Sequence, residues 1–202
     1  MLNYSKKLKL LLTLILFLIC LGFTYIYSQY NRYLPTLDTP SSQMLTPLNI
    51  DNIRQNTPIT QVIVYKAERR LEILHREQII KRYSMRLGFD PIGHKVTEGD
   101  GKTPEGHYVI DWRNPNSQFY KSLHISYPNT QDTAKAKALG VSAGGDIMIH
   151  GSANKRQIQV LPKMMEYMPR NDWTWGCIAV KNVDMDEIWK LVDNGTPITI
   201  FP

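Results

Sequence analysis

From Leu10 to Tyr30 the chain carries no charged residue, and Leu10 to Ile26 is dominated by Leu, Ile and Phe. As a helix, a run of that length crosses about 30 Å of hydrocarbon. It therefore divides the chain into a membrane segment and a remainder that must fold without it. Lys6, Lys7 and Lys9 precede the run and have no counterpart until Arg32, so the positive-inside rule places the N-terminus in the cytoplasm and the bulk of the chain across the membrane. A cleavable signal peptide has a shorter apolar region and small residues at its cleavage site; Ile26-Tyr27-Ser28 matches that pattern weakly. Cys20 follows Phe17-Leu18-Ile19, which lacks the small residue that a lipoprotein signal needs. Residues 1–29 are read as an uncleaved inner-membrane anchor with the rest in the periplasm or extracytoplasmic space. Secretion after signal cleavage is the alternative.

Three of the six net positive charges belong to those lysines, so the exported part is only mildly basic and shows no block of like charge. Such a balance suits an acidic polymer and gives no warrant for a nucleic-acid partner. Residues 30–58 hold Pro35, Pro40, Pro47 and Pro58 among Thr, Ser, Asn and Gln. With no sustained apolar period, this stretch reads as a tether. Residues 59–202 are enough for one well-buried domain.

Within that domain, short β-branched and aromatic runs alternate with turn residues. Val62–Tyr65 and Leu71–Leu74 read as a hairpin around the charged stretch Lys66–Arg70, and Gln78–Leu87 as a third strand. Tyr108–Ile110, Leu123–Ile125, Ile147–Ile149, Ile178–Val180 and Ile198–Phe201 are further strands. Thr130–Leu139 reads as a helix stopped by Gly140. Asp184-Met185-Asp186-Glu187 has the spacing of a capping box, opening a helix with Ile188, Trp189 and Val192 in period and Gly195 at its end. The class is mainly β with a few packing helices. His150 ends one strand and Cys177 starts another, an arrangement that brings them together at one rim of a sheet.

Cys177 is the only cysteine outside the N-terminal segment, so it has no plausible disulfide partner. In an oxidising compartment a free thiol needs a reason to persist. One reason is chemistry, since a Cys and a His from distant parts of the sequence are the minimum for thiolate catalysis. The other is burial, because free Cys is among the most buried residue types. His75, His94, His107 and His124 are scattered and lack paired metal-ligand spacing, so no metal or cofactor is expected.

Three stretches decide between those reasons: Asp100-Gly101-Lys102-Thr103-Pro104-Glu105-Gly106-His107-Tyr108, Ile149-His150-Gly151, and Thr174-Trp175-Gly176-Cys177-Ile178. In this order within one domain they resemble the catalytic domain of the L,D-transpeptidases, bacterial cell-wall enzymes with a β-sandwich or barrel fold. The resemblance runs from about Ile59 to Phe201. It implies Cys177 as nucleophile and His150 as its base, with peptidoglycan stem peptides as substrate. Trp175 stands where most members have a second histidine, and Ala179 where most have an arginine. With Tyr127-Pro128-Asn129 and Gly145-Asp146-Ile147-Met148, these departures resemble a side branch in which some enzymes hydrolyse, releasing a wall-linked lipoprotein. A hydrolase with the same catalytic pair and a non-catalytic wall-binding module are the rival readings.

The implied reaction is acyl transfer at a carbonyl beside meso-diaminopimelate. His150 takes the proton from Cys177 to give a thiolate–imidazolium pair, the sulfur attacks, and the imidazolium protonates the departing amine. The backbone N–H groups of Gly176 and Cys177 are the expected oxyanion donors, each typically worth roughly 3 kcal/mol in the transition state. Gly151, Thr174, Trp175 and Asp146 are the expected substrate-side residues, Asp146 as a group that orients His150 or a substrate amine. Trp173 and Met164, Met165 and Met168 are candidates for a groove wall.

Overall fold

The computed structural model describes residues 4–31, 34 and 44–202, with the side chains of Tyr4 and Ser5 excepted. Helix α1 (Tyr4–Tyr30) contains the apolar run, and every large apolar side chain in it from Leu8 to Tyr27 is exposed. At 1.5 Å per residue it is long enough to cross a membrane.

The remainder is built on one eight-stranded mixed sheet: β1 (Gln61–Tyr65), β2 (Arg70–His75), β3 (Gln78–Ser84), β4 (Gly106–Asn114), β5 (Ser122–Ile125), β6 (Met148–Gly151), β7 (Ile178–Val180) and β8 (Pro197–Phe201). Their spatial order is β3-β2-β1-β8-β4-β5-β6-β7. Two pairings are parallel, β1 with β8 and β6 with β7, and the others are antiparallel. The third strand differs from the expected Gln78–Leu87. It leaves β2 after Ser84 and changes partner: Arg86 bridges Ala179 and Gly88 bridges Thr174. Those bridges join the two edges of the sheet, so the architecture is a nearly closed barrel. Closure removes the unpaired edges that an open sheet exposes.

Val62 and Val64 of β1, Leu71 and Ile73 of β2, Ile110 of β4, Ile149 of β6 and Ile178 and Val180 of β7 are fully buried in one core. The alternating burial of β1 is the period-2 pattern that its sequence shows. Helix α3 (Thr130–Ala138) is opened by Asn129, whose side chain accepts from the N–H groups of Gln131 and Asp132. It closes at Leu139, ahead of Gly140 with φ 70°. Helix α4 (Lys155–Val160), capped by Asn154, follows β6.

Three local expectations differ from what is found. The stretch read as a tether contains helix α2 (Pro47–Asn56), capped by Thr46 and Asn49, which buries Ile50 and Ile53 against the core. Helix α5 (Asn182–Leu191) starts two residues before Asp184, with Lys181 at the cap and no side-chain capping bond. Glu187 is instead turned inward, where it accepts from the Leu45 N–H and pairs with Lys81 of β3. The helix also ends at Leu191, ahead of Gly195, which lies in the turn into β8 and donates its N–H to the Ile110 carbonyl.

The Asp100–Tyr108 motif is a rigid turn. The Asp100 carboxylate accepts from Lys95 Nζ at 2.8 Å and from the N–H groups of Val96, Thr97 and Lys102 at 2.9–3.0 Å. Burial alone would raise its pKa, but those four bonds outweigh burial and hold it low. Lys66, buried in the β1–β2 hairpin, reaches the same segment through the Gly93 and Thr103 carbonyls and Glu105.

Candidate active site

Cys177 directly precedes β7, and the parallel register pairs Ile149 with Ile178 and His150 with Ala179. Residues two apart on a strand share a face, so Cys177 lies on the same face as Ala179 and His150, one diagonal step from the imidazole. The short β7 starts alongside the middle of β6, which sets both residues on one face of the sheet. Both open into one cleft of about 780 Å³, walled by Phe119, Met148, Trp173, Thr174 and Trp175.

The turn that presents Cys177 is tied by one hydroxyl. Thr174 Oγ1 accepts from the Gly176 N–H at 3.2 Å and donates to the Cys177 carbonyl at 2.7 Å. Gly176 has φ 132°, and a Cβ there would meet the Lys102 carbonyl oxygen at 2.6 Å. Only glycine lets the Asp100–Lys102 turn pack so close behind Cys177. This geometry corrects one expectation: the Gly176 N–H is engaged by Thr174, which leaves the Cys177 N–H as the remaining expected oxyanion donor. Thr174 is likewise a positioning residue, with its hydroxyl committed to the turn.

His150 is 5% exposed. Its ring stacks on Phe119 at 5.1 Å and meets the edge of Trp173 at 5.8 Å. Burial pushes its pKa down to about 4, against an opposing contribution from the Gly151 carbonyl. Nδ1 lies 2.7 Å from that carbonyl oxygen, which can only accept, so Nδ1 carries the proton and Nε2 keeps its lone pair. In this tautomer Nε2 is the ring atom able to accept a proton.

The thiol is pushed up by burial, with Asp146 adding to the effect while the Met148 N–H and Lys95 pull against it. Sγ donates to the Asp146 carbonyl at 3.5 Å. Burial thus favours the neutral form of both groups, the thiol and the imidazole.

The other expected site residues fall as follows. Asp146 does not orient His150; that bond goes to Gly151, and Asp146 offers its carbonyl to the sulfur. Gly151 is buried away from the cleft, where a Cβ would meet Asn182 Oδ1 at 2.3 Å. Trp175, 70% exposed, stands at the cleft wall with its ring edge-on to Phe89 at 4.9 Å. Trp173 lines the cleft, whereas Met168 is buried and Met164 and Met165 lie outside its walls. Phe119 and Asn182 escaped the sequence reading. Phe119 comes from the β4–β5 loop, where no local pattern marks it. Asn182 clamps the chain after β6, donating to the Ala153 carbonyl and accepting from its N–H.

The chain resembles known proteins over this same region. The YkuD model of the L,D-transpeptidase catalytic domain matches residues 59–200. YafK of Escherichia coli (strain K12), an L,D-transpeptidase by provisional name, is 28% identical over 178 residues, covering 80% of this chain and 62% of YafK. The chain thus spans about three fifths of that relative. The helical cell shape determining protein Pgp2 of Campylobacter jejuni superposes with a TM-score of 0.53 at 22% identity, covering 72% of this chain and 48% of Pgp2. Bdellovibrio bacteriovorus Bd1075 does so with 0.50 at 22%, covering 83% of this chain and 53% of its own. These two likenesses speak for the fold alone. The family match spans most of the chain, including the barrel and both residues of the Cys–His pair: this chain belongs to the L,D-transpeptidase catalytic domain family.

Proposed function

We propose that this chain is a cysteine-dependent acyl transferase acting on peptidoglycan stem peptides, with its catalytic domain held outside the cytoplasm by α1. The observation that carries this reading is the pairing of Cys177 with a neutral, Nδ1-protonated His150 in one cleft. His150 Nε2 takes the thiol proton as Sγ attacks the carbonyl beside meso-diaminopimelate. The oxyanion forms against the Cys177 N–H, and the imidazolium then protonates the leaving amine. The resulting thioester passes to an amine or to water. A role in cell-wall remodelling, and through it in cell shape, follows from that chemistry.

A hydrolytic outcome is the second reading, and the apolar wall favours it. Trp175 and Ala179 put an indole and a methyl group beside the pair, in the positions that set the chain apart from common crosslinking members of the family. Under this reading the product is a released peptide or wall-linked lipoprotein. The test is incubation of the full chain with purified sacculi, with and without added amine, followed by mass analysis of muropeptides. Crosslinked dimers that dominate under all conditions establish transpeptidation. Monomers that dominate even in excess amine establish hydrolysis. No product from either route, with a thiol probe failing to label Cys177, would leave a non-catalytic wall-binding module.

A further inference from the structure

Beyond Trp175 lies a second open cleft, lined by Arg69, Arg86, Phe89, Arg170 and Asp172. It brings three guanidinium groups against one carboxylate. That carboxylate is already engaged: Asp172 pairs with Arg69 at 2.7 Å and accepts from the Leu87 N–H at 2.8 Å. Arg86 Nε donates only to the Pro169 and Arg170 carbonyls and Nη1 to the Met85 carbonyl. Among the described residues neither Arg86 nor Arg170 has a carboxylate within ion-pair distance. A half-buried guanidinium with only neutral acceptors is an incomplete arrangement, since desolvating a charge costs free energy that an anion would offset. Burial lowers the Arg86 pKa, Asp172 across the cleft opposes that, and Arg69 adds to it.

The position of Arg86 ties this cleft to the reaction site. Arg86 bridges Ala179, and Ala179 pairs with His150. Paired residues on neighbouring strands point to the same face, so His150, Ala179 and Arg86 form one row across the barrel wall. Ala179 between them is fully buried. Adjacent strands lie about 4.8 Å apart, so Arg86 is about 10 Å from His150, the span of about three residues of extended peptide. The Phe89 ring lines this cleft and touches Trp175, which walls the other.

We infer that this cleft binds a carboxylate of the peptide substrate, held by Arg86 and Arg170 two to three residues from the attacked carbonyl. The inference rests on the peptide-substrate reading above. It makes Arg86 and Arg170 specificity residues and assigns them no part in bond making.

The test uses the full chain in detergent, carrying Cys177→Ala so that binding is read without turnover. A synthetic stem tetrapeptide is compared by calorimetry with the three analogues in which one carboxylate at a time is amidated. One analogue should bind about tenfold or more weakly, the usual cost of losing a charge-assisted pair. Arg170→Ala, an exposed change, should abolish that difference by weakening only the parent peptides that retain the carboxylate. Arg86→Lys, which keeps the charge but loses the guanidinium fork, should reduce it. Equal binding of all four peptides overturns the inference and leaves the substrate reading intact. So does an amidation penalty that persists in both arginine variants. No binding of any peptide overturns both.

Discussion

The ionisation of the proposed Cys177–His150 pair is governed by single residues. Phe119 and Trp173 enclose the His150 ring, and that enclosure keeps the imidazole neutral down to a pKa of about 4. A base is lost when it is protonated, so the acid limb of kcat/KM should lie near pH 4, well below the usual 6.5 of histidine. Phe119→Ala admits water to the ring and should move that limb upward; a rate–pH profile of wild type and variant reads the shift directly. Thr174 gives a second prediction. Thr174→Val keeps the shape but leaves the Gly176 N–H unpaired and frees the Cys177 carbonyl. It should cost roughly 1–3 kcal/mol of stability and at least tenfold in kcat, with Thr174→Ser restoring both; denaturant titration and steady-state rates check it. At this scale the sequence exposed Cys177 and His150, which share one cleft, and the Gly176 of the turn before the thiol, because motif spacing carries them. It did not expose Phe119, which reaches the site only through the folded β4–β5 loop, nor the bond from the Gly176 N–H to Thr174.

Elements hold these residues by a few buried clamps. Helix α5 begins with Asn182, fully buried, whose amide grips Ala153 in both directions and leaves no room for a Cβ on Gly151. Gly151 in turn supplies the carbonyl that fixes the His150 tautomer. Gly151→Ala should therefore push the chain off Asn182 and cost about 1–3 kcal/mol as an overpacking change. It should also lower kcat more than it raises KM, because it misplaces the base and not the substrate. A fall in kcat/KM that comes from KM alone would contradict this. The strands were legible because they are short, β-branched and punctuated by turns. Helix α2 was not, since its apolar face is only Ile50 and Ile53 and its neighbours are polar. The Thr46-Pro47-x-Asn49 start was the signal that could have found it. The α5 box was misread because Asp184 and Glu187 have capping spacing, while burial turns both inward.

At the scale of the whole molecule, closing the barrel and building the site are one event. The chain after β3 pairs with β7 through Arg86–Ala179 and with the turn before it through Gly88–Thr174, immediately beside Cys177. The sequence suggested a sandwich or barrel, but closure by two isolated bridges has no alternating pattern to betray it. Because the site is built into the closure, its titration should register in global stability. The imidazole has a folded pKa of about 4 and an unfolded value of about 6.5. Between those values the unfolded chain binds a proton that the folded one refuses, so stability falls as pH drops through this window and is flat above it. The shift corresponds to about 3 kcal/mol from this one group. Carboxylates titrate over part of the same range, so the informative quantity is a difference between two proteins. His150→Asn cannot take up that proton, and its amide can still donate to the Gly151 carbonyl. Urea unfolding followed by tryptophan fluorescence at pH 4.5 and 7 should show wild type losing more stability than the variant, by about 2–3 kcal/mol. Parallel losses in the two proteins would mean that His150 takes its proton in the folded state as readily as in the unfolded one. The neutral resting pair on which the proposed mechanism turns would then be wrong.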